Sequence, residues 1–232
     1  MSIVIGISGV AGAGKDLFFS LLRRALSERG IEAGRYALAD ELKNEISPLL
    51  LNLYGIDINA CDRGVKDFYR PLLVFHGKVR RHETEGRYWT DKVSSKIKSE
   101  NLSGVSCITD IRYDFYEKDE VYWLKKDMGG ILIHISLFKM ENGERVTKLG
   151  ANDEEREFDP ILKSKADYNI EWELSDSSQG NSESKLLRHV DDFLFWLNKN
   201  DKYRLYLGGC SKENKLREQP SSSDSETLKS LL

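Results

Sequence analysis

The chain has few of the residues that mark a metal centre, a disulfide framework or a membrane span. Cysteine occurs three times in 232 residues, at Cys61, Cys107 and Cys210, widely spaced and odd in number. With no C-x-x-C pair, neither a zinc site nor a disulfide framework is indicated, and three reduced thiols in a reducing compartment are expected. His76, His82, His134 and His189 lack metal-ligand spacing, and His134, inside an apolar run, reads as a packed core residue. No stretch approaches the ~18 apolar residues of a membrane span. The opening Ile3-Val4-Ile5-Gly6-Ile7 is too short for a signal-peptide core. A soluble, cytoplasmic protein with no membrane association is the expectation. Nor is there a basic excess: 35 Lys and Arg against 38 Asp and Glu leave a formal net charge of −3. That argues against stable nucleic-acid binding, which needs cations to neutralise phosphates.

What is present is an alternation of strand-like and helix-like segments. Ile3 to Ser8 is a β-branched run bounded by glycine, the pattern of a strand buried on both faces. Leu17, Phe18, Leu21, Leu22, Ala25 and Leu26 then recur at helical spacing up to Gly30. A strand over Tyr36–Ala39 and a helix capped by Asp40 and running to Tyr54 come next, with Pro48 as a kink. Residues 55–65 carry turn formers. Further helices are read after Pro71 and from Tyr88-Trp89 to Ser99. A strand over Val105–Thr109 ends at Asp110, and a short helix around Val121–Lys125 stops at Gly129-Gly130. Ile131–Leu137 is a clear strand, and residues 139–160 read as a charged, mobile loop. A last strand spans Tyr168–Trp172 and a closing helix spans Leu186–Leu197. Such alternation implies an α/β fold of three layers, a parallel sheet with helices on both faces. One domain covers residues 1–200, and the Lys-, Glu- and Ser-rich segment 201–232 is expected to be a disordered tail.

The most informative segment is Gly9-Val10-Ala11-Gly12-Ala13-Gly14-Lys15-Asp16. Gly9 and Gly14 have the spacing of the phosphate-binding P-loop, G-x-x-x-x-G-K-[ST], and Lys15 follows directly, between a strand and a helix. Glycines let such a loop turn its N–H groups inward, and the helix that follows brings its positive end. The expected donor contacts are Gly9, Ala11, Gly12, Ala13, Gly14, Lys15 and Asp16, holding the phosphates of ATP with Mg²⁺. Asp16 stands where a hydroxyl is usual, and a carboxylate can address magnesium directly or through water.

A second acid, Asp110, closes a buried apolar run, with Arg112 two residues on. Together they aim one carboxylate and one guanidinium at the carboxyl edge of the sheet. Lys15, Asp16, Asp110 and Arg112 are therefore the expected catalytic set, and Asp16 and Asp110 the expected metal ligands. The bland reading has Asp110 capping a helix and Arg112 on the surface. Arg70, Lys78, Arg80 and Arg81 form a basic cluster on one helical segment, and arginine forks suit a monophosphate acceptor. Arg70, Arg80, Arg81, Asp110 and Arg112 are thus the expected acceptor contacts, against the alternative of a solvated helix face.

With these residues in view, the chain resembles the deoxynucleoside monophosphate kinases of bacteriophages and related viruses over roughly residues 1–175. The resemblance rests on the Gly-Lys-Asp ending of the glycine loop, Arg70-Pro71-Leu72-Leu73 leading to Gly77 and Arg80-Arg81, and Tyr88-Trp89. It continues through Thr109-Asp110-Ile111-Arg112, Ile131–Ile135, Ala151-Asn152-Asp153-Glu154-Glu155, Asp159-Pro160 and Ala166-Asp167-Tyr168. It implies ATP- and Mg²⁺-dependent phosphorylation of a (deoxy)nucleoside monophosphate to the diphosphate. By position, Gly12, Gly14, Lys15 and Asp16 would bind ATP phosphates and magnesium, and Arg70, Arg81, Asp110 and Arg112 would face the acceptor. The arginines that close the lid of ordinary nucleotide kinases have no clear counterpart, although Lys139, Arg145 and Lys148 lie in the region. Two rivals stay open: a P-loop kinase of another small acceptor, and a non-catalytic nucleotide switch driven by residues 139–160. The sequence also leaves a homodimer open.

Overall fold

A computed structural model of the chain describes residues 3–174 and 182–200. The expected tail at 201–232, and Cys210 within it, lie outside the described residues. Ile3–Ser8 forms β1, with every residue buried. Its side chains alternate between two layers: Ile3, Ile5 and Ile7 join one apolar cluster, Val4 another. Gly6 is small for a packing reason, since a Cβ there would lie 2.3 Å from Leu124 Cδ2.

The first layer covers one face of the sheet with α1 (Lys15–Ser27) and α7 (Ser182–Lys199), through Phe18, Leu22, Leu26, Leu186, Val190 and Phe193. The second face carries α4 (Arg87–Glu100), the short α5 (Glu120–Tyr122) with the wide π turn Trp123–Asp127 that continues it, and Leu162 of α6 (Asp153–Lys165). Between them the sheet runs in the order β2 (Ala33–Tyr36), β3 (Val105–Ile111), β1, β4 (Ile131–Glu141), β6 (Tyr168–Glu173), all parallel. A smaller cluster, Ile46, Leu50 and Ile58, joins α2 (Leu38–Tyr54) to α3 (Arg63–Glu83) beyond the carboxyl edge of β2 and β3.

The sheet is mixed, not purely parallel as expected. β5 (Glu144–Thr147) runs antiparallel to the outer half of β4, with Glu141 opposite Glu144. Its two-residue turn is Asn142-Gly143, both at positive φ (51° and 83°), the turn whose twist matches a hairpin. The charged loop expected over 139–160 is therefore a hairpin followed by α6. That helix starts where the Asn152 side chain accepts from the Glu155 N–H, with three acids in its first turn at its positive end.

Two helix starts also differ from expectation. β2 ends at Tyr36 and α2 begins at Leu38 without Asp40 as its cap; Asp40 instead pairs with Arg35 and Lys43. α2 passes through Pro48 unbroken, held by Ile46 and Leu50. α3 begins eight residues before Pro71 because Asp62 accepts from the Val65 N–H and caps it. β3 includes Asp110 and ends one residue later. Cys61 and Cys107 are free thiols, and burial pushes Cys107 up to about 12. No helix among the described residues is long and apolar enough to cross a membrane.

Candidate active site

The glycine loop occupies the turn from β1 into α1, at the carboxyl edge of the sheet. Gly9, Gly12 and Gly14 take φ of 134°, 73° and 96°, a region that side chains with a Cβ rarely enter. Space is also closed to a Cβ: one at Gly9 would meet the Ile135 carbonyl oxygen at 2.3 Å, and one at Gly14 the Trp172 ring at 2.5 Å. Trp172 of β6 supports the loop from below, its indole N–H donating to the Ala13 carbonyl at 2.8 Å. The Lys15 ammonium folds back and donates to the carbonyls of Gly9 (2.6 Å) and Val10 (2.9 Å). Its pKa is lowered by burial first and by the Arg112 guanidinium second, against Glu155, Asp110 and Asp16. A glycine turn at the start of a helix, with one half-buried cation beside it, is a place where an anion is favoured.

Asp16 and Asp110 are placed very differently. Asp16 is 85% exposed at its side chain, 3.8 Å from Arg35, on the first turn of α1. Asp110 is buried, and both its oxygens accept from backbone N–H groups at 2.8 Å, Leu38 on one and Ala39 on the other. It is thus the N-terminal cap of α2, supplied from across the sheet. Burial raises its pKa, against those two N–H bonds and Arg112. Among the described residues, no three His, Cys, Asp or Glu side chains converge as a metal-binding group.

Arg112 stands just past β3 and borders two cavities. One is a gap of only about 20 Å³ between the glycine loop and α6, lined also by Gly9, Val10, Glu155 and Phe158. The other is a cleft of about 220 Å³ on the α2–α3 side, where Arg70, Lys78, Arg81, Trp89, Asp110 and Tyr113 meet. A third cavity, of about 350 Å³, shares Lys78, Arg81 and Tyr113 with it and adds Phe115, Tyr116 and Phe158. Arg70, Lys78 and Arg81 all reach this cleft from α3.

Arg80 lies away from the cleft, bonded to Glu45 and Glu83 with its guanidinium over the Tyr88 ring. Arg81 is in the cleft wall, but its charge is matched: Nη1 donates to Glu120 at 2.8 Å and Nη2 to Asp119 at 2.7 Å. Burial works against that charge, and the two acids more than offset it, so the Arg81 pKa is raised. Arg70 is exposed and paired with Asp67. Of the expected acceptor arginines, Arg112 is the one with a partially open guanidinium at the junction of the two sides.

Sequence reasoning passed over Asp119 and Glu120, and it took Glu154 and Glu155 only as part of the resemblance, without a physical role. Glu120 accepts from the Arg112 and Tyr113 N–H groups, and Asp119 from those of Phe115, Tyr116 and Glu120, so the pair shapes the loop after β3. Burial raises Glu120 to about 7, with Arg81 pulling the other way. Glu154 at the start of α6 pairs with Lys78 and accepts from the Tyr113 hydroxyl. Glu155 accepts from Ala151 N–H at 3.0 Å and from the glycine-loop amide of Ala11 at 3.4 Å, with Arg112 3.6 Å away. The signal that could have placed the last two is Asn152 followed three residues later by Glu155, a helix-start pattern. His134 is buried as expected, its Nε2 3.0 Å from Asp159, which ties α6 to β4.

No protein-family model matches the chain, and no curated protein matches it either. The functional reading therefore rests on the residues and their arrangement.

Proposed function

We propose that the protein is a P-loop phosphotransferase that moves the terminal phosphoryl group of ATP to a (deoxy)nucleoside monophosphate, giving the diphosphate. The observation that carries this reading is the position of Arg112 between a glycine loop shaped for phosphates and a separate cleft lined by Arg70, Lys78, Trp89 and Tyr113. A loop alone argues for a bound nucleotide; a second basic and aromatic cleft meeting it at one guanidinium argues for a second phosphate-bearing substrate. The aromatic walls suit a base and the cations suit its monophosphate.

In this reading the glycine-loop amides and Lys15 hold the donor phosphates, and Lys15 must leave the Gly9 and Val10 carbonyls to do so. Arg112 neutralises charge between donor and acceptor, where it spreads during transfer. Mg²⁺ would be held on the Asp16 side, because both Asp110 oxygens are engaged by α2, and it would supply further neutralisation of the phosphates. Asp110 acts through α2, fixing the helix that forms the far wall of the cleft. Resemblance to viral deoxynucleoside monophosphate kinases points to the same chemistry, and a cytoplasmic location fits it.

The test is incubation with ATP, Mg²⁺ and a panel of ribo- and deoxynucleoside monophosphates, following ADP release. Acceptor-dependent ADP formation is expected. ATP binding with no ADP release for any acceptor would leave a nucleotide-binding protein and remove the kinase.

A further inference from the structure

Arg112 reaches the meeting point of the glycine loop and the cleft with its side chain 47% exposed and Glu155 3.6 Å away. A guanidinium held so loosely is aimed mainly by its backbone. Past Ile111 the chain leaves β3, and its next N–H groups need acceptors outside the sheet. Glu120, 3% exposed at the start of α5, supplies them. One carboxylate oxygen, Oε2, accepts from the Arg112 N–H at 2.6 Å and the Tyr113 N–H at 3.0 Å. The other accepts from Arg81 of α3 at 2.8 Å, and the Arg81 guanidinium lies over the Tyr113 ring. Asp119 beside it takes the N–H groups of Phe115 and Tyr116, the far end of the same turn. A single buried acid thus ties the two cleft residues after β3 to the helix that brings Arg70 and Lys78 to the same cleft.

We infer that Glu120 is a positioning residue of the acceptor side: through the backbone of Arg112 and Tyr113 it sets where their side chains meet the substrate. The inference rests on the proposed phosphoryl transfer, with Arg112 between donor and acceptor. An ionised carboxylate suits the place because it is acceptor-only and can take three N–H donors on its two oxygens. A glutamine of the same shape cannot serve both sides. Turned one way, its NH₂ group faces Arg81; turned the other, it faces the two loop amides. The oxygens of Glu120 are occupied by Arg81 and two backbone groups, so it acts on the substrate at one remove. Its loss should therefore be felt by the acceptor and not by ATP, whose phosphates meet the amides of the glycine loop.

The experiment combines hydrogen exchange on the full wild-type chain, read amide by amide by NMR, with steady-state kinetics of wild type and Glu120→Gln. Slow exchange is expected at Arg112 and Tyr113, comparable with the amides inside β3. Fast exchange at both overturns the inference whether or not the variant folds. Glu120→Gln should lower kcat/KM for the nucleoside monophosphate about thirtyfold, the size of one lost hydrogen bond to a charged group, with the KM for ATP within about twofold of wild type. A merely structural role would lower the melting temperature and the folded fraction, leaving both KM values and the turnover of each folded molecule unchanged. That result also overturns the inference. Slow exchange at both amides with no wild-type turnover on any monophosphate would instead remove the phosphotransfer reading, and the acceptor-side role with it.

Discussion

Arg81 offers the sharpest separation between a residue that binds substrate and one that holds the site together. Its guanidinium fork spans Asp119, 0% exposed at its side chain, and Glu120, 4% exposed, and stacks over the Tyr113 ring with its carbon 4.0 Å from the centroid. Replacing it by methionine keeps much of the stem's packing and removes the charge, so two buried carboxylates lose their common partner. Breaking a buried pair from one side costs about 3–5 kcal/mol. At roughly 2–4 °C per kcal/mol for a domain of this size, Arg81→Met should melt about 6–20 °C lower.

The loss should depend on pH, and its sign follows from Glu120. That group has a folded pKa of about 7 against an ordinary 4.5, because burial raises it. Its contribution is therefore most favourable below 4.5 and is lost as pH rises through about 7. Asp119 keeps three backbone donors without Arg81, whereas Glu120 keeps two and loses its pull toward the charged form. The gap between wild type and Arg81→Met should thus be larger near pH ~8 than near pH ~5.5. Scanning calorimetry at both pH values measures it, and Arg81→Lys, which retains charge but not the fork, should fall between. A melting temperature within ~2 °C of wild type, with the acceptor KM raised, would refute the reasoning and return Arg81 to the substrate.

Lys15→Ala should abolish turnover with the melting temperature nearly unchanged, since its ammonium bonds only the loop's own carbonyls; retained turnover would remove the glycine loop from catalysis. Glu45 joins α2, α3 and α4 by accepting from His76, Arg80, Tyr88 and Lys92. Burial would raise its pKa, but Lys92, Tyr88 and His76 outweigh it and hold it at about 2, below the ordinary 4.5. Glu45→Gln should therefore cost roughly 1 kcal/mol near neutral pH, discounted for half-exposed partners. The difference from wild type should vanish as pH falls from 4.5 to about 2; urea unfolding across that range would expose an error in sign.

What could be read from the sequence divides by distance along the chain. The glycine loop, β1 and α1 were legible because their signals are local: glycines at fixed offsets, a β-branched run, a helical stripe of Leu and Phe. The hairpin at Asn142-Gly143 and the start of α6 at Asn152 carry local signals too, and the density of charge around them hid both. Charge does not prevent a helix when three acids lie at its positive end, which is where Asp153, Glu154 and Glu155 sit. Asp110 shows the opposite case. No spacing rule could join it to Leu38 and Ala39, because the sheet order that places β3 beside β2 is what brings a carboxylate to the start of α2.

Arg81 shows the same dependence on distant partners. Its basic cluster was visible, but Asp119 and Glu120, 38 and 39 residues away, decide whether its charge is spent inside the protein or offered to a ligand. The consequence for function is specific. A donor site can be read from eight consecutive residues because backbone amides do most of the binding. An acceptor site is assembled from α2, α3 and the turn after β3, and its selectivity depends on which cations remain unpaired once the fold has closed. By that criterion Arg81 is committed and Arg80 is turned away, while Arg112 keeps a half-exposed guanidinium with one long contact, 3.6 Å from Glu155.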